Sequence, residues 1–408
     1  MRVPFLDLKA QYHSIKGEID SAVINVFESS SFVLGKTVAD FESKFAQLHQ
    51  AKHCVGMSSG TDGNHSVLWA LGVAPGDEVI VPANTFIATA WGATLCGAKP
   101  VFVDCHPESY NIDPDRLETA ITPRTKAIVA VHLYGQAADI HEMNSQLSIL
   151  NFELEETGVF VHRTTGQRIY LVEDCAQSHI AEYKGKKVGG LGKGSSFSFY
   201  PGKNLGAYGE AGAVMTDDDA LAKRFRMIRD HGAEQKYIHE MYGHNYRMEA
   251  IQGAILDVKL KYIEKWTDSR RLVASKYKDL LAGVDGIILP KEMPYAKHVY
   301  HLFVIQVRRK EEGERKQDTE TRSQRSEVRD SLQKYLAEKE IATGLHYPVP
   351  LHLQPCFSEL GYSRGQFPVT EQLAESGLSL PIFPEMTDDQ IEYVAQCVRD
   401  FFRPGNLD

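Results

Sequence analysis

Nowhere in its 408 residues does the chain run about 18 apolar residues without a break, so the sequence holds no membrane-spanning helix. Cysteine is scarce and scattered: Cys54, Cys96, Cys105, Cys175, Cys356 and Cys397 include no CxxC pair. The chain therefore carries no disulfide framework, zinc signature or evident iron–sulfur ligand set, and several of its thiols read as buried and free. Positive charge is in deficit, with 45 Lys and Arg against 54 Asp and Glu and a formal charge of −9. This argues against nucleic acid as a main partner, because phosphate backbones need clustered cations; a small anion held at one local site is not excluded. The amino terminus, MRVPFLDLKAQYHS, is broken by Pro4, Asp7 and Lys9 and does not read as a signal peptide, so a cytoplasmic location is expected.

What the chain does have is ordinary globular composition, 43% hydrophobic and 24% charged, at a length that suits two lobes. Short β-rich runs recur: Glu78–Pro82, Lys99–Asp104, Lys126–Gly135, Tyr170–Ala176, Ser195–Tyr200 and Gly212–Asp218. Several are almost continuously apolar, which predicts strands covered on both faces, as in parallel sheets. Helical periodicity lies between some of them, as at Ala88–Cys96, giving a layered α/β pattern. From about Met248 the pattern changes to a long amphipathic stretch, Glu249–Leu281, followed by one strand and two helices of a smaller α+β lobe. Two segments read as inserts: the charged Arg308–Arg325, a solvated loop, and Asn151–Tyr170, part of a hairpin turning at Thr165-Gly166.

Lys203 stands out. It is the one lysine of FSFYPGKNLGAYGEAG (Phe197–Gly212), among four glycines and with Glu210 the only acid. Pro201-Gly202 ends a strand just before it, and strand ends in open α/β folds are where ligands bind. A lysine short of counter-charge has a lowered pKa and can attack a carbonyl; a surface lysine on a turn fits the stretch equally well. EDCAQSH (Glu173–His179) puts an acid at the end of another apolar strand. Asp174 there can hold a protonated ring nitrogen and Gln177 can reach a ring hydroxyl, although an acid capping the next helix is the commoner meaning of such a pattern. SSGTDG (Ser58–Gly63) is neither a Walker loop nor GxGxxG. It opens a helix whose free N–H groups suit an anion, and Ser59, Thr61 or Asp62 can cap it. An anion cradle, an acid and a strand-end lysine are the three parts a pyridoxal 5′-phosphate site needs.

These segments, taken in order with VPFLDLKAQY, VPANTFIATA, KPVFVD, HLYGQ, YKGKKVG, NYRMEAIQGAIL and GLHYPVPLH, resemble the DegT/StrS-type nucleotide-sugar aminotransferases, of the aspartate aminotransferase fold type I. The likeness runs from about Val3 to the carboxyl terminus and skips the two inserts. It implies a large cofactor-binding domain, residues 1–250, with a mostly parallel seven-stranded sheet covered by helices, and a smaller α+β domain, residues 251–408. It implies that Lys203 is the Schiff-base lysine and proton shuttle, that Asp174 pairs with the pyridinium nitrogen, and that Gln177 contacts the ring hydroxyl. Gly60, Thr61 and Ser198 fall to the phosphate, and Phe86 to stacking on the ring. Asn245 matches an asparagine that reaches the phosphate of the neighbouring subunit, which implies a homodimer with shared sites. Tyr200, His346 and Tyr347 fall to the sugar nucleotide; His301 reads as structural, and His179 as a satisfied core histidine ahead of a substrate contact.

The reaction so implied moves the amino group of L-glutamate to the ketone of a nucleotide-linked 6-deoxy sugar. Carbon 3 of a dTDP sugar stands ahead of carbon 4 of a UDP or dTDP sugar. One branch of the family has histidine in place of the lysine and dehydrates its substrate; Lys203 speaks against that branch. The rival from another class is a sugar-nucleotide-binding regulator without catalysis, and Lys203, Asp174 and Gln177 weigh against it. No metal, nucleic acid or membrane partner is expected.

Overall fold

The computed structural model describes residues 1–308 and 322–403. Its central sheet comprises β1 (His53–Met57), β2 (Glu78–Pro82), β3 (Lys99–Val103), β4 (Thr125–Val131), β5 (Phe152–Glu156), β6 (Val159–His162), β7 (Arg168–Asp174), β8 (Gly194–Ser198) and β9 (Gly212–Thr216). Seven of these strands run in the order β1-β9-β8-β7-β4-β2-β3. The pairs β8–β7, β7–β4, β4–β2 and β2–β3 are parallel, and β9 is antiparallel to both β8 and β1. The mostly parallel seven-stranded sheet implied by the resemblance is therefore present. β2 and β9 are buried at every residue, as strands covered by helices on both faces must be.

The insert at 151–170 extends this sheet to nine strands. β5 pairs with β6 and β6 with β7, both antiparallel, and the expected turn is there, with Gly166 at φ 71°. The hairpin lies along the first half of β7, with Val161 opposite Arg168 and Val159 opposite Tyr170, away from the end that carries Asp174.

Around the sheet lie α1 (Lys16–Ser29), α2 (Gly35–His49), α3 (Gly60–Ala70) and α4 (Ile87–Leu95). The stretch Glu249–Leu281 is two helices, α5 (Ala250–Leu260) and α6 (Ile263–Leu281), parted at Lys261 and Tyr262. α5 packs on α1 and α2, whereas α6 packs on α8 (Asp388–Phe401), which follows α7 (Arg322–Glu338) in the chain. A second, antiparallel sheet joins β10 (Ile287–Ile288), β11 (Phe303–Val307) and β12 (Gly377–Leu380). An apolar cluster around Tyr277, Phe303 and Val394 holds it and takes in Val3 from the amino terminus. The charged stretch 308–325 lies for the most part outside the described residues, and α7 begins within it at Arg322. All six cysteines are free, and all but Cys356 are buried. Among the described residues no helix is long and apolar enough to cross a membrane.

Candidate active site

The carboxyl ends of β7 and β8 and the start of α3 meet at a cavity of about 660 Å³, large enough for a cofactor and a substrate group. Every site residue selected from the sequence lines it except Asn245. Lys203 arrives there by a β-turn. β8 stops at Ser198, and the Lys203 N–H donates to the Tyr200 carbonyl at 2.8 Å across Pro201 and Gly202. The amine itself makes no hydrogen bond or ion pair among the described residues. Burial pulls its pKa down to about 8, against the carboxylate of Asp174, which raises it. At pH 7 roughly one amine in ten is then neutral, a few hundred times the fraction of an ordinary lysine.

The acid is held firmly. Asp174 Oδ2 accepts from Asn64 Nδ2 at 2.9 Å and from Thr89 Oγ1 at 2.7 Å, and Oδ1 accepts from the Ala176 N–H at 3.1 Å. Its neighbour Glu173 does other work. Burial disfavours its charge, but hydrogen bonds from His132, Gly189 and Gly192 outweigh that and keep its pKa below the usual range. His132, Glu173 and Cys175 lie close enough to suggest a metal site. Both Glu173 oxygens are already taken, by His132 and by the N–H groups of Gly189, Leu191 and Gly192, so the cluster is structural. Gln177 is clamped at both ends of its amide: Oε1 accepts from the Tyr134 N–H at 2.7 Å and Nε2 donates to the Tyr347 hydroxyl at 2.9 Å.

Ser59 turns out to be the cap of α3, its Oγ accepting from the Asp62 N–H at 3.1 Å. The N–H groups of Gly60 and Thr61 are left at the cavity wall, where a helix start favours an anion. No side chain fits at Gly60, because a Cβ would lie 2.6 Å from Ser198 Cβ. Gly212 closes in from the other side, its missing Cβ 2.3 Å from the Ser59 carbonyl oxygen. Phe86, immediately before α4, is 52% exposed at the mouth, with its ring 5.7 Å from that of Tyr347. The His346 ring stacks on Phe5 at 5.9 Å, and burial and the charge of Lys203 lower its pKa to about 4, so it is neutral near pH 7.

His179 sits in the core between Phe45, Phe197 and Phe199, as expected. His301, read as structural, is in fact part of the cavity wall, its Nδ1 3.2 Å from Asn204 Oδ1. Asn245 lies outside the cavity, exposed, between His244 and Tyr246, whose rings stack at 4.6 Å. Residues that sequence reasoning passed over are Asn64 and Thr89 beside the acid, and Phe5 and Leu6 in the wall. A signal existed for Asn64, which lies four residues after Gly60 and so on the same helix face.

These residues fit pyridoxal 5′-phosphate: a cradle that admits no Cβ, an acid held by three donors, and an amine without another partner. The model of the DegT/DnrJ/EryC1/StrS aminotransferase family matches residues 13–150 and 161–399, and its internal gap falls on the β5–β6 insert. The chain is similar to a pleiotropic regulatory protein of Geobacillus stearothermophilus, 43% identical over 99% of each chain. It is also similar to a dTDP-3-amino-3,4,6-trideoxy-alpha-D-glucose transaminase of Streptomyces venezuelae, 39% identical over 98% of this chain and 96% of that one. The crystal structure of S. venezuelae DesV superimposes with a TM-score of 0.87 at 38% identity, covering 98% of this chain and 99% of that one.

Proposed function

Because the chain belongs to the DegT/DnrJ/EryC1/StrS aminotransferase family, we propose that it transfers the amino group of L-glutamate to the ketone at carbon 3 of a dTDP-linked keto-6-deoxy sugar. The cofactor is pyridoxal 5′-phosphate. When bound, it supplies the electron sink through which an amino group passes between carbon skeletons. Lys203 would carry it covalently and move protons at Nζ. Asp174 would hold the ring nitrogen and Gln177 the ring hydroxyl; Gly60, Thr61 and Ser198 would hold the phosphate, and Phe86 would pack on the ring. Tyr200, His346 and Tyr347 orient the sugar nucleotide. One observation carries this reading: an unpartnered, partly buried amine shares one cavity with a fixed carboxylate and a helix start.

The dTDP sugar and carbon 3 are supported by the S. venezuelae transaminase. The test is a panel of dTDP-3-keto, dTDP-4-keto and UDP-4-keto sugars with glutamate, read by product mass. Amination of the 3-keto dTDP sugar is expected; amination of a 4-keto sugar alone overturns the assignment. A regulator without catalysis would aminate none of them.

The active form is proposed to be a homodimer in which Asn245 reaches the partner's phosphate. Exposed Phe27, Phe32, Trp91 and Leu95 support an apolar interface, and the exposure of Asn245 outside its own cavity fits a role in another. Lys203→Ala and Asn245→Ala should then each be impaired in different halves of one site. An equal mixture allowed to exchange subunits should recover about a quarter of the parent activity, since half the dimers carry one complete site. No recovery, with exchange confirmed by differently tagged chains, would refute shared sites. Residues 1–250 and 251–408 are proposed as the large and small domains, supported by the separate apolar cluster of the small sheet. The cytoplasm is the proposed location, supported by the free cysteines.

A further inference from the structure

We propose that Asn64 is a positioning residue that fixes the Asp174 carboxylate for the cofactor ring, with Ser196 and Gly92 holding Asn64 in that role; this rests on the proposed contact between Asp174 and the ring nitrogen. Asn64 lies in the second turn of α3, is 4% exposed and forms part of the cavity wall. A buried amide is costly unless its polar ends are partnered, and here both are. Nδ2 donates to Asp174 Oδ2 at 2.9 Å, and Oδ1 accepts from the Ser196 hydroxyl.

The carboxylate decides which way the amide faces, since it can only accept; the serine hydroxyl, which can donate or accept, then donates to Oδ1. Turned over, Asn64 would set its oxygen against the carboxylate and its NH₂ against the serine. Ser196 is itself fixed, being buried on β8 directly opposite Asp174 in the parallel β7–β8 pair. Gly92 favours the arrangement from the other side. A Cβ on it would lie 3.1 Å from both the carbonyl carbon and Cβ of Asn64, a contact tight enough to push α4 and α3 apart by a few tenths of an ångström. The same approach delivers Thr89, the second donor to Oδ2. With Ala176 N–H on Oδ1, the carboxylate cannot rotate without breaking several hydrogen bonds at once. A fixed charge beside a ring nitrogen is worth more than a swivelling one, because its reorganisation is already done.

The test uses the full chain and measures pyridoxal 5′-phosphate affinity by titration, the pH midpoint of the near-visible absorbance band, and kcat and KM. Asn64→Leu should weaken cofactor affinity about tenfold, because a carboxylate free to turn must be ordered again each time the cofactor binds. It should also shift the pH midpoint and lower kcat while leaving KM for the sugar nucleotide unchanged. Ser196→Ala, which removes a single hydroxyl, should act in the same direction and decides the matter if circular dichroism shows Asn64→Leu unfolded. Affinity within about twofold of the parent and an unmoved midpoint in the folded variants would overturn the proposal. Asp174→Ala separates the two levels. If it too leaves affinity and spectrum unchanged, the reading of Asp174 itself fails; if it alone weakens binding, only the role of Asn64 fails.

Discussion

Lys203→Ala is expected to abolish amino transfer, with at least about a thousandfold loss of kcat, and to leave the fold intact. The amine has no protein partner to lose, so the melting temperature of the apoprotein should match or exceed that of the parent. In the parent, capture of pyridoxal 5′-phosphate should speed up as pH rises, with a midpoint near the lowered pKa of about 8. The sign follows from burial, which disfavours the charged amine; only the neutral form attacks, so its fraction grows through that pH and levels off above it. Stopped-flow absorbance from pH 6 to 10 checks this. A midpoint near that of a free lysine would mean that the amine is solvated, and a Lys203→Ala enzyme that still aminates would remove it from the mechanism.

Asp174→Asn should cost roughly a hundred- to thousandfold in kcat with little change in KM for the sugar nucleotide. The substitution keeps the shape and removes the charge, and its surroundings determine how it fails. Asn64 and Thr89 both donate to Oδ2, so an asparagine at 174 must turn its carbonyl oxygen toward them. Its NH₂ then points toward the Ala176 N–H, and on the proposed contact it would offer the ring nitrogen a donor where an acceptor is needed. The ring nitrogen would then lose the partner proposed to keep its proton. Steady-state kinetics together with the absorbance spectrum of the loaded variant test this; unchanged kcat would show that the acid serves packing alone.

The sheet was legible because most of its strands are buried on both faces and so read as apolar runs. β1 was not, since HCVGM is short and interrupted by Gly56. β5 escaped as well: four of its five residues face solvent, leaving no apolar pattern to read. The break between α5 and α6 has neither glycine nor proline at Lys261 and Tyr262, and both halves are amphipathic, so the stretch read as one. At the site, Gly60, Asp174 and Lys203 were legible as cavity residues because each sits in a short motif next to a strand. Asn64 and Thr89 owe their position to the packing of α3 on α4, and Phe5 and His301 come to the wall from distant parts of the chain. Apart from the spacing of Asn64 from Gly60, no local pattern announces them. The glycines after Lys203 read as letting the chain pass close to the cofactor or the partner subunit; in the structure Gly206 packs on the Pro201 carbonyl and Gly212 on the Ser59–Gly60 turn of the same chain.

That crowding of Gly60, Ser198 and Gly212 sets how the protein can change over generations. Where backbones touch with no room for a methyl group, a substitution must displace a strand or a helix start, so this end of the cavity tolerates little change. Other parts of the wall are made by side chains such as Phe5, Tyr200 and His346. Drift in acceptor preference can therefore proceed while the amine chemistry stays constant. A mutant library aimed at new amino sugars belongs at those wall positions, with the glycine turns left untouched.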